Sequence, residues 1–189
     1  MGTIVGVLVF LGVVSNSIDE AFDSGSESSV SAAEEAPADA PSAGTQEGTR
    51  DNPVALGSEI TSTEWKVVVN SVTLGADDAV LAENMFNEAP QEGYEYILIN
   101  YSVTYLGNDA NGQSPAFVDV SYVSPDGVTV DSADALAVAP DAIDTLTTLY
   151  NGGSVTGNVA LLVPSTSIQD GVLAVQPGLL ADKVFVAIP

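Results

Sequence analysis

The chain lacks two residue types on which much site chemistry depends. Its 189 residues include no cysteine and no histidine. Without cysteine the chain cannot form a disulfide, a thiolate zinc site or a lipid-modified N-terminal cysteine. Without histidine it cannot form the Ser-His and Cys-His nucleophile pairs, and it lacks the commonest general base. The sequence therefore favours a protein that is not an enzyme and needs no cofactor.

Positive charge is also scarce. The chain has 26 acids against three bases, Arg50, Lys66 and Lys183, for a formal net charge of -23. Nucleic-acid affinity comes largely from Lys and Arg that neutralise phosphates, so we expect no nucleic-acid partner. The simplest interpretation of the acidity is solubility, including in high salt, where screening removes self-repulsion. The alternative is a surface that attracts cations or a basic partner.

An apolar segment opens the chain. Residues 2–14 carry no charge, but about 20 apolar residues are needed to span a bilayer. The length fits the apolar core of a signal peptide, although no basic residue precedes it. We predict that residues 1–17 are an export signal or part of an anchor, and that the domain meets a membrane only through them. The alternative is a buried core strand.

Residues 18–48 have a different composition, rich in Ser, Ala, Pro, Gly and acids. Eight acids and no base lie between Asp19 and Glu47. The sizeable apolar residues are only Ile18, Phe22 and Val30. Such a segment cannot bury enough apolar surface to offset chain entropy. It is predicted to be a disordered acidic linker that leads to one folded domain, residues 49–189.

The sequence pattern of the domain predicts strands connected by turns. In residues 94–106 the apolar side chains of every second residue form one face, as a half-buried strand requires. Ser124-Pro125-Asp126-Gly127 and Asn151-Gly152-Gly153 have turn composition. Residues 133–144 are predicted as a connection with room for one helical turn. The predicted strands are 54–60, 65–74, 94–106, 117–123, 128–130, 155–163, 172–175 and 183–188.

This pattern predicts an all-β fold, an antiparallel β-sandwich of seven to nine strands without an amphipathic helix. A sole tryptophan in such a fold is usually a core residue, so Trp65 is predicted to be buried.

Two loops carry oxygen-bearing side chains that could ligate calcium. Asn108, Asp109 and Asn111 lie in one loop, and Asp77 and Asp78 lie in another. Neither loop has the alternating acids and closing Glu of an EF-hand. A plain Asn/Gly-rich turn is the favoured interpretation of the first loop, with calcium as the alternative.

The second loop forms a wider acidic patch with Glu83, Glu88 and Glu92. Carboxylate pairs serve as acid and base in glycosidases, so a carboxylate-dependent hydrolase is a distant alternative function. A solvated loop is the favoured interpretation, because nothing apolar surrounds the acids to raise their pKa. Met85 and Phe86, in the same loop, are predicted to tuck beneath it.

Four blocks of the domain resemble one family. They are residues 48–57 (GTRDNPVALG), 65–72 (WKVVVNSV), 95–101 (EYILINY) and 150–159 (YNGGSVTGNV). In this order they resemble a family of unknown function whose members follow lipoprotein or transmembrane anchors in Gram-positive bacteria. The resemblance covers residues 48–189 and implies an immunoglobulin-like sandwich, similar in fold to a secreted mycobacterial immunoprotective antigen. It brings no catalytic residues.

Together these observations predict an immunoglobulin-like binding or structural module, tethered or secreted, outside the cell or at the outer face of the cytoplasmic membrane. Its partner would be a protein or a cell-envelope ligand, which the sequence does not identify. Family members often carry a lipidated cysteine, whose absence here leaves a membrane helix or free secretion. The alternative function is a free secreted, antigen-like protein with a peptide or small-ligand groove.

Overall fold

A computed structural model of the chain describes residues 29–31 and 47–189. In these residues the strands form two antiparallel sheets, ordered β1-β2-β3-β4-β7 and β6-β5-β8-β9. The strands are β1 Ser29–Ser31, β2 Glu59–Thr61, β3 Trp65–Thr73, β4 Tyr94–Tyr105, β5 Val118–Val123, β6 Thr129–Val130, β7 Ser154–Pro164, β8 Val172–Pro177 and β9 Val184–Ala187. One helix, α1 Asp77–Glu83, follows β3, and a 3-10 turn, Ile168–Asp170, precedes β8.

The predicted antiparallel sandwich is confirmed, and its connectivity is that of a Greek key. If β3, β4 and β7 are taken as strands A, B and E of an immunoglobulin domain, then β6-β5-β8-β9 corresponds to C′-C-F-G. Ala142 forms a single parallel bridge to Asn158 of β7, on the edge where an immunoglobulin domain has strand D, although strand D is antiparallel to strand E. β1 and β2 extend the first sheet beyond strand A.

The core lies between the two sheets and follows the alternation of the long strands. Ile97, Ile99, Tyr101, Val103 and Tyr105 of β4 are all buried in one cluster. They belong to the same cluster as the inward side chains of the second sheet, among them Val118, Val120, Tyr122, Leu173 and Val175.

The prediction that Trp65 is buried is confirmed. Its side chain is only 6% exposed, and its ring centroid lies 4.9 Å from that of Tyr105, with the planes tilted by 48°. The two residues are directly opposite each other in the β3–β4 register. This tilted pair closes one end of the core, at the start of β3.

The first predicted strand, 54–60, is wrong in its bounds. Val54 forms a bridge to Val186 of β9, so this part of the segment borders the second sheet. The chain then turns at Gly57, where φ is +84°, and enters the first sheet as β2. The predicted strand is split by this turn, which requires a left-handed conformation that glycine adopts without steric cost.

The second acidic segment was predicted to be a solvated loop, but Asp77–Glu83 forms a helix; its acids Asp78, Glu83, Glu88 and Glu92 are exposed, as that prediction expected. Asp77 and Asp78 occupy the first turn of α1, where carboxylates are stabilised by the helix dipole. Val80 is fully buried in a cluster with Tyr96 on the outer face of the first sheet. Seven residues with one buried side chain leave no helical periodicity in the sequence.

The prediction that Met85 and Phe86 tuck beneath their loop is wrong. Their side chains are 87% and 82% exposed. The Asn87 side chain fastens this loop instead: its Nδ2 donates to Val80 O at 2.6 Å and to Val138 O at 2.8 Å. Because a polar residue anchors the loop, the two apolar residues before it point outward.

Within the predicted disordered linker, Ser29–Ser31 forms β1 and pairs with β2. For these three residues the prediction does not hold, because Val30 packs against the main core and the edge of β2 supplies backbone partners. The whole of the predicted signal or anchor segment (1–17) lies outside the described residues. So does the rest of the predicted linker, except Glu47 and Gly48. No helix in the described part of the chain is long and apolar enough to cross a membrane.

A single helical turn lies at the start of the predicted connection at 133–144, as expected, because the Leu136 N–H donates to Ser132 O, four residues earlier, at 3.2 Å. Leu136 and Asp141 of this connection have φ of +49° and +48°, a left-handed conformation that ends any helix. The predicted turn at Ser124 is confirmed: the Gly127 N–H donates to Ser124 O at 2.8 Å, and Gly127 has φ of +85°.

The side chain of Arg50 connects two distant parts of the second sheet. Its guanidinium Nη2 donates to Ser124 O at 2.9 Å and also to Pro125 O, in the turn between β5 and β6. The neighbouring backbone pairs with β9, since the Phe185 N–H donates to Gly48 O at 2.9 Å. One side chain therefore joins the two opposite edges of this sheet.

Candidate functional site

The structure separates the calcium candidates into two places. Asp77 follows β3, near the start of β4, whereas Asn108, Asp109 and Asn111 follow the end of β4. The two loops therefore lie at opposite ends of a twelve-residue strand. Within residues 29–31 and 47–189, no group of three or more potential ligands is placed to hold a metal ion. Calcium binding by either loop stays a prediction.

Both loops use a carboxylate to hold their own shape. Asp109 accepts hydrogen bonds from the Asn111 N–H and from Gln113 Nε2, each at 2.8 Å. The hydrogen bond from the Asn111 N–H, and to a smaller extent the one from Gln113, lowers the pKa of Asp109. Asp77 Oδ1 accepts the Tyr96 N–H at 2.7 Å and so fixes α1 to β4, while Asp78 is exposed.

A groove beside β5 is the first candidate binding site. The strand β5 has six residues, but β6 pairs only with Tyr122 and Val123. Residues 118–121 therefore have β8 on one side and no paired strand on the other. A space of about 420 Å³ lies along this free edge, within the size range of ligand pockets.

The far wall of the groove comes from β7 and the connection that precedes it. Alanine and valine side chains are the most numerous in the lining, which also contains the polar residues Asp119, Ser132, Thr145 and Asn158. The lining includes Tyr101, Ala116, Ala142, Ile143, Asn158 and Val159. The groove is thus a gap between the two sheets, at the edge where β5 and β7 approach each other.

Asp119 brings a negative charge to this groove. Burial raises the pKa of the Asp119 carboxyl, and Asp131 raises it further. The Ser121 hydroxyl, Lys183 and the Val120 N–H act in the opposite direction but do not cancel the shift. The site therefore holds a carboxylate whose lost hydration is only partly replaced.

Tyr101 lies on the core side of the same groove. Burial, and secondarily the charge of Asp119, raises the pKa of its hydroxyl to about 12. The phenol therefore stays protonated at neutral pH and retains its hydrogen as a donor.

A second candidate site is the end of the sandwich where β3 begins, named here the loop end. It carries large apolar side chains in exposed loops. Leu179 and Leu180 are 63% and 74% exposed, and Ala181, which follows them, is buried. Further exposed apolar residues in the loops of this end are Leu106, Phe117, Leu146 and Tyr150.

Hydrogen bonds tie these loops together. Ser62 Oγ donates to Pro177 O at 2.7 Å, which holds the segment of Leu179 and Leu180 next to residues 62–64. The Leu106 N–H donates to Glu64 O at 2.7 Å, and Asn151 Nδ2 donates to Leu106 O at 3.0 Å. These bonds connect the segments that carry Leu106, Tyr150, Leu179 and Leu180 into one surface. Sequence reasoning missed it, because isolated apolar residues in loops give no periodic signal.

Comparisons with known proteins add little beyond fold class. No protein-family model matches the chain, and no curated protein matches its sequence. A conserved hypothetical protein from Bacillus anthracis is similar in structure, with 15% identity, a TM-score of 0.44, and coverage of 64% of this chain and 87% of that one. An uncharacterised β-sandwich protein from Clostridium difficile 630 is also similar, with 10% identity, a TM-score of 0.45, and coverage of 81% and 100%. The resemblance to the Gram-positive family and to the mycobacterial antigen stays a prediction.

Proposed function

We propose that this chain is an extracytoplasmic β-sandwich module, not an enzyme, that binds a protein or cell-envelope ligand through its loop end. The observation that supports this most is the set of exposed leucines and aromatic residues on the connected loops of one end. Large apolar side chains in contact with water are costly when they serve no partner. Aromatic and aliphatic anchors of this kind supply most of the binding energy in many protein interfaces.

The proposed location rests on the sequence. An uncharged apolar segment at residues 2–14, followed by an acidic segment and one compact domain, is the layout of a tethered surface protein. The resemblance to anchored Gram-positive proteins supports the same setting. A net charge of -23 argues against a nucleic-acid partner and against direct contact of the domain with anionic lipid surfaces.

Two matched pairs of substitutions test the loop end. Leu179→Ser/Leu180→Ser removes apolar side chains there, and Met85→Ser/Phe86→Ser removes an even more exposed apolar pair from another surface. The full chain would be expressed in a Gram-positive host with a photo-crosslinking amino acid at Tyr150. We expect one discrete cross-linked product in the envelope fraction, lost in the first variant and retained in the second. Loss in both, or retention in both, would contradict the proposed surface.

A free secreted protein is the second candidate, favoured by the groove beside β5. Cell fractionation separates the two, because a tethered chain stays with the envelope and is degraded by protease added to intact cells. Recovery of the full chain in the culture medium would support free secretion. Recovery in the cytoplasm would contradict both.

A further inference from the structure

The outer face of the first sheet is covered at one end and open at the other. Near the start of β4, the outward side chains of Tyr96 and Leu98 are buried in a cluster with Val80 of α1. The cover ends where Asn158 Nδ2 donates to Pro140 O at 2.7 Å, in the connection that crosses this face. The later part of β4 and the first part of β7 therefore present an open outer surface.

Uncharged polar side chains occupy this open surface in hydrogen-bonded pairs. β4 and β7 are in register here, so that the outward pairs are Asn100 with Asn158, Ser102 with Thr156 and Thr104 with Ser154. In the first pair Nδ2 of Asn100 donates to Oδ1 of Asn158 at 2.8 Å. The two hydroxyl oxygens of the second pair lie 2.8 Å apart, and in the third pair Thr104 Oγ1 donates to Ser154 Oγ at 3.2 Å. These three cross-strand pairs are named here the polar ladder.

A β-bulge in β3 adds a seventh polar side chain. The register between β3 and β4 shifts between Val69 and Ser71, so Asn70 is the extra residue. Its Nδ2 donates to Asn100 Oδ1 at 2.9 Å and to Ser102 Oγ at 3.0 Å. Bulges re-aim side chains and are common next to functional sites. Here the bulge links the first two rungs of the polar ladder.

The polar ladder carries no charge, although the chain is strongly acidic. None of the 26 acids belongs to it. Lys66 of β3, which faces Thr104 beside the ladder, is paired with Glu59, with 2.9 Å between Nζ and Oε1. A charged ligand would find no opposite charge here to replace its lost hydration. The surface therefore fits an uncharged ligand.

The hydrogen-bonding groups of the ladder indicate the class of ligand. Hydroxyl and amide side chains both donate and accept, and sugar hydroxyls do the same. Each side chain uses only part of this capacity: Asn70 retains its Oδ1 as an acceptor. The mutual bonds hold the side chains in place, so little entropy is lost when a ligand binds. Neighbouring rungs are about 7 Å apart along the strands, so three rungs extend over about 14 Å, room for a few sugar rings.

We propose that the polar ladder, together with Asn70, binds a neutral polysaccharide through its hydroxyl groups. Anionic polysaccharides are repelled by the net charge of -23. A second copy of the chain is disfavoured by the same charge, and the test below distinguishes it from a polysaccharide. The inference goes beyond the loop end, since it concerns a sheet face, and it holds for a tethered or a secreted chain.

Native affinity electrophoresis of the full chain tests the proposal. The net charge of -23 carries the chain through gels that contain a polysaccharide, and binding slows it. The neutral probes are hydroxyethyl cellulose, laminarin, mannan and galactan, and the anionic probes are carboxymethyl cellulose and polygalacturonate. We expect at least one neutral probe to retard the chain with a dissociation constant of about 1 mM or lower, and neither anionic probe to do so.

Three variants assign the binding to the ladder. Ser102→Ala/Thr156→Val removes the middle rung with little change of shape and should weaken binding about tenfold, as the loss of two hydrogen bonds allows. Asn70→Ala, at an exposed position, should weaken it about fivefold. Thr129→Ala/Ser132→Ala removes two exposed hydroxyls from another surface and should leave retardation unchanged. Urea unfolding verifies that each variant is folded.

Four results would overturn the proposal. The first is the absence of retardation by any neutral probe, and the second is equal retardation by an anionic probe. The third is unchanged binding by the folded Ser102→Ala/Thr156→Val variant. The fourth is a concentration-dependent dimer in sedimentation that this variant dissociates, because the occupant of the ladder would then be a second copy.

Discussion

Replacement of Trp65 by alanine should be among the most destabilising single changes in this domain. The ring is nearly fully buried and in contact with Tyr105 at the end of the core. A buried aromatic side chain removes about 150–250 Å² from water, which at about 25 cal/mol/Å² corresponds to about 4–6 kcal/mol. Because alanine retains a small part of this burial, and the end of the core can relax inward, we expect a loss of about 3–5 kcal/mol.

Urea unfolding followed by far-UV circular dichroism measures this loss, since the variant has no tryptophan to report fluorescence. The melting temperature should fall by about 6–20 °C, at about 2–4 °C per kcal/mol for a domain of this size. Trp65→Phe should lose less, because it retains a ring against Tyr105. A double-mutant cycle with Tyr105→Leu should give a coupling of about 0.5–1.5 kcal/mol. A loss below about 1 kcal/mol for Trp65→Ala would refute the burial and make this residue a surface contact.

Three further predictions concern charge and close packing. Apart from the eight acids between Asp19 and Glu47, the chain has 18 acids and three bases, all in the domain. Because salt screens the repulsion among these charges, the stability of the domain should rise between 0.1 and 1 M salt, equally in NaCl and KCl. Calcium at matched ionic strength should add nothing, and a saturable rise in melting temperature at micromolar calcium would reveal a specific site at Asp109 or Asp77. The folded-state pKa of Asp119 is raised, so this group should lower stability as pH rises from about 4 through that pKa. In Asp119→Asn the free energy of unfolding measured with urea should depend less on pH over this window. An unchanged pH dependence would contradict the burial of the carboxyl. Gly157→Ala should lower the free energy of unfolding by about 1–3 kcal/mol in the same urea assay, because the added Cβ would lie 2.5 Å from Ile143 Cα and 2.8 Å from Asp141 O. An unchanged free energy of unfolding would mean that residues 141–143 are not packed on β7.

The sequence was most informative where a pattern is local and repeated. The alternation from Ile97 to Tyr105 specifies a strand and its buried face, and the Pro-Asp-Gly turn after Ser124 specifies a hairpin. It was least informative where short segments depend on distant partners. Three residues around Val30 become a strand only because β2 offers an edge, and α1 forms over a single buried valine.

The candidate sites illustrate the same limit. The oxygen-rich loops at Asp77 and Asp109 are visible in the sequence, but their carboxylates bind the backbone of their own surroundings. The groove arises because β6 ends after Val130, while β5 continues along β8. That mismatch of pairing lengths involves three strands and has no signature in any one of them. Whether a loop leucine such as Leu180 is covered is likewise decided by loops distant in sequence.

The fastening of Arg50 has a consequence for proteolysis. Trypsin cleaves after Arg and Lys, and Arg50 is the first such residue in the chain. Its guanidinium is held by Ser124 O and Pro125 O, so it can enter the protease only after this connection opens. Lys66, the next site, lies inside β3 between β2 and β4. Trypsin therefore cannot trim the acidic segment directly, and its cleavage rate at Arg50 reports how often the N-terminal edge of the domain detaches.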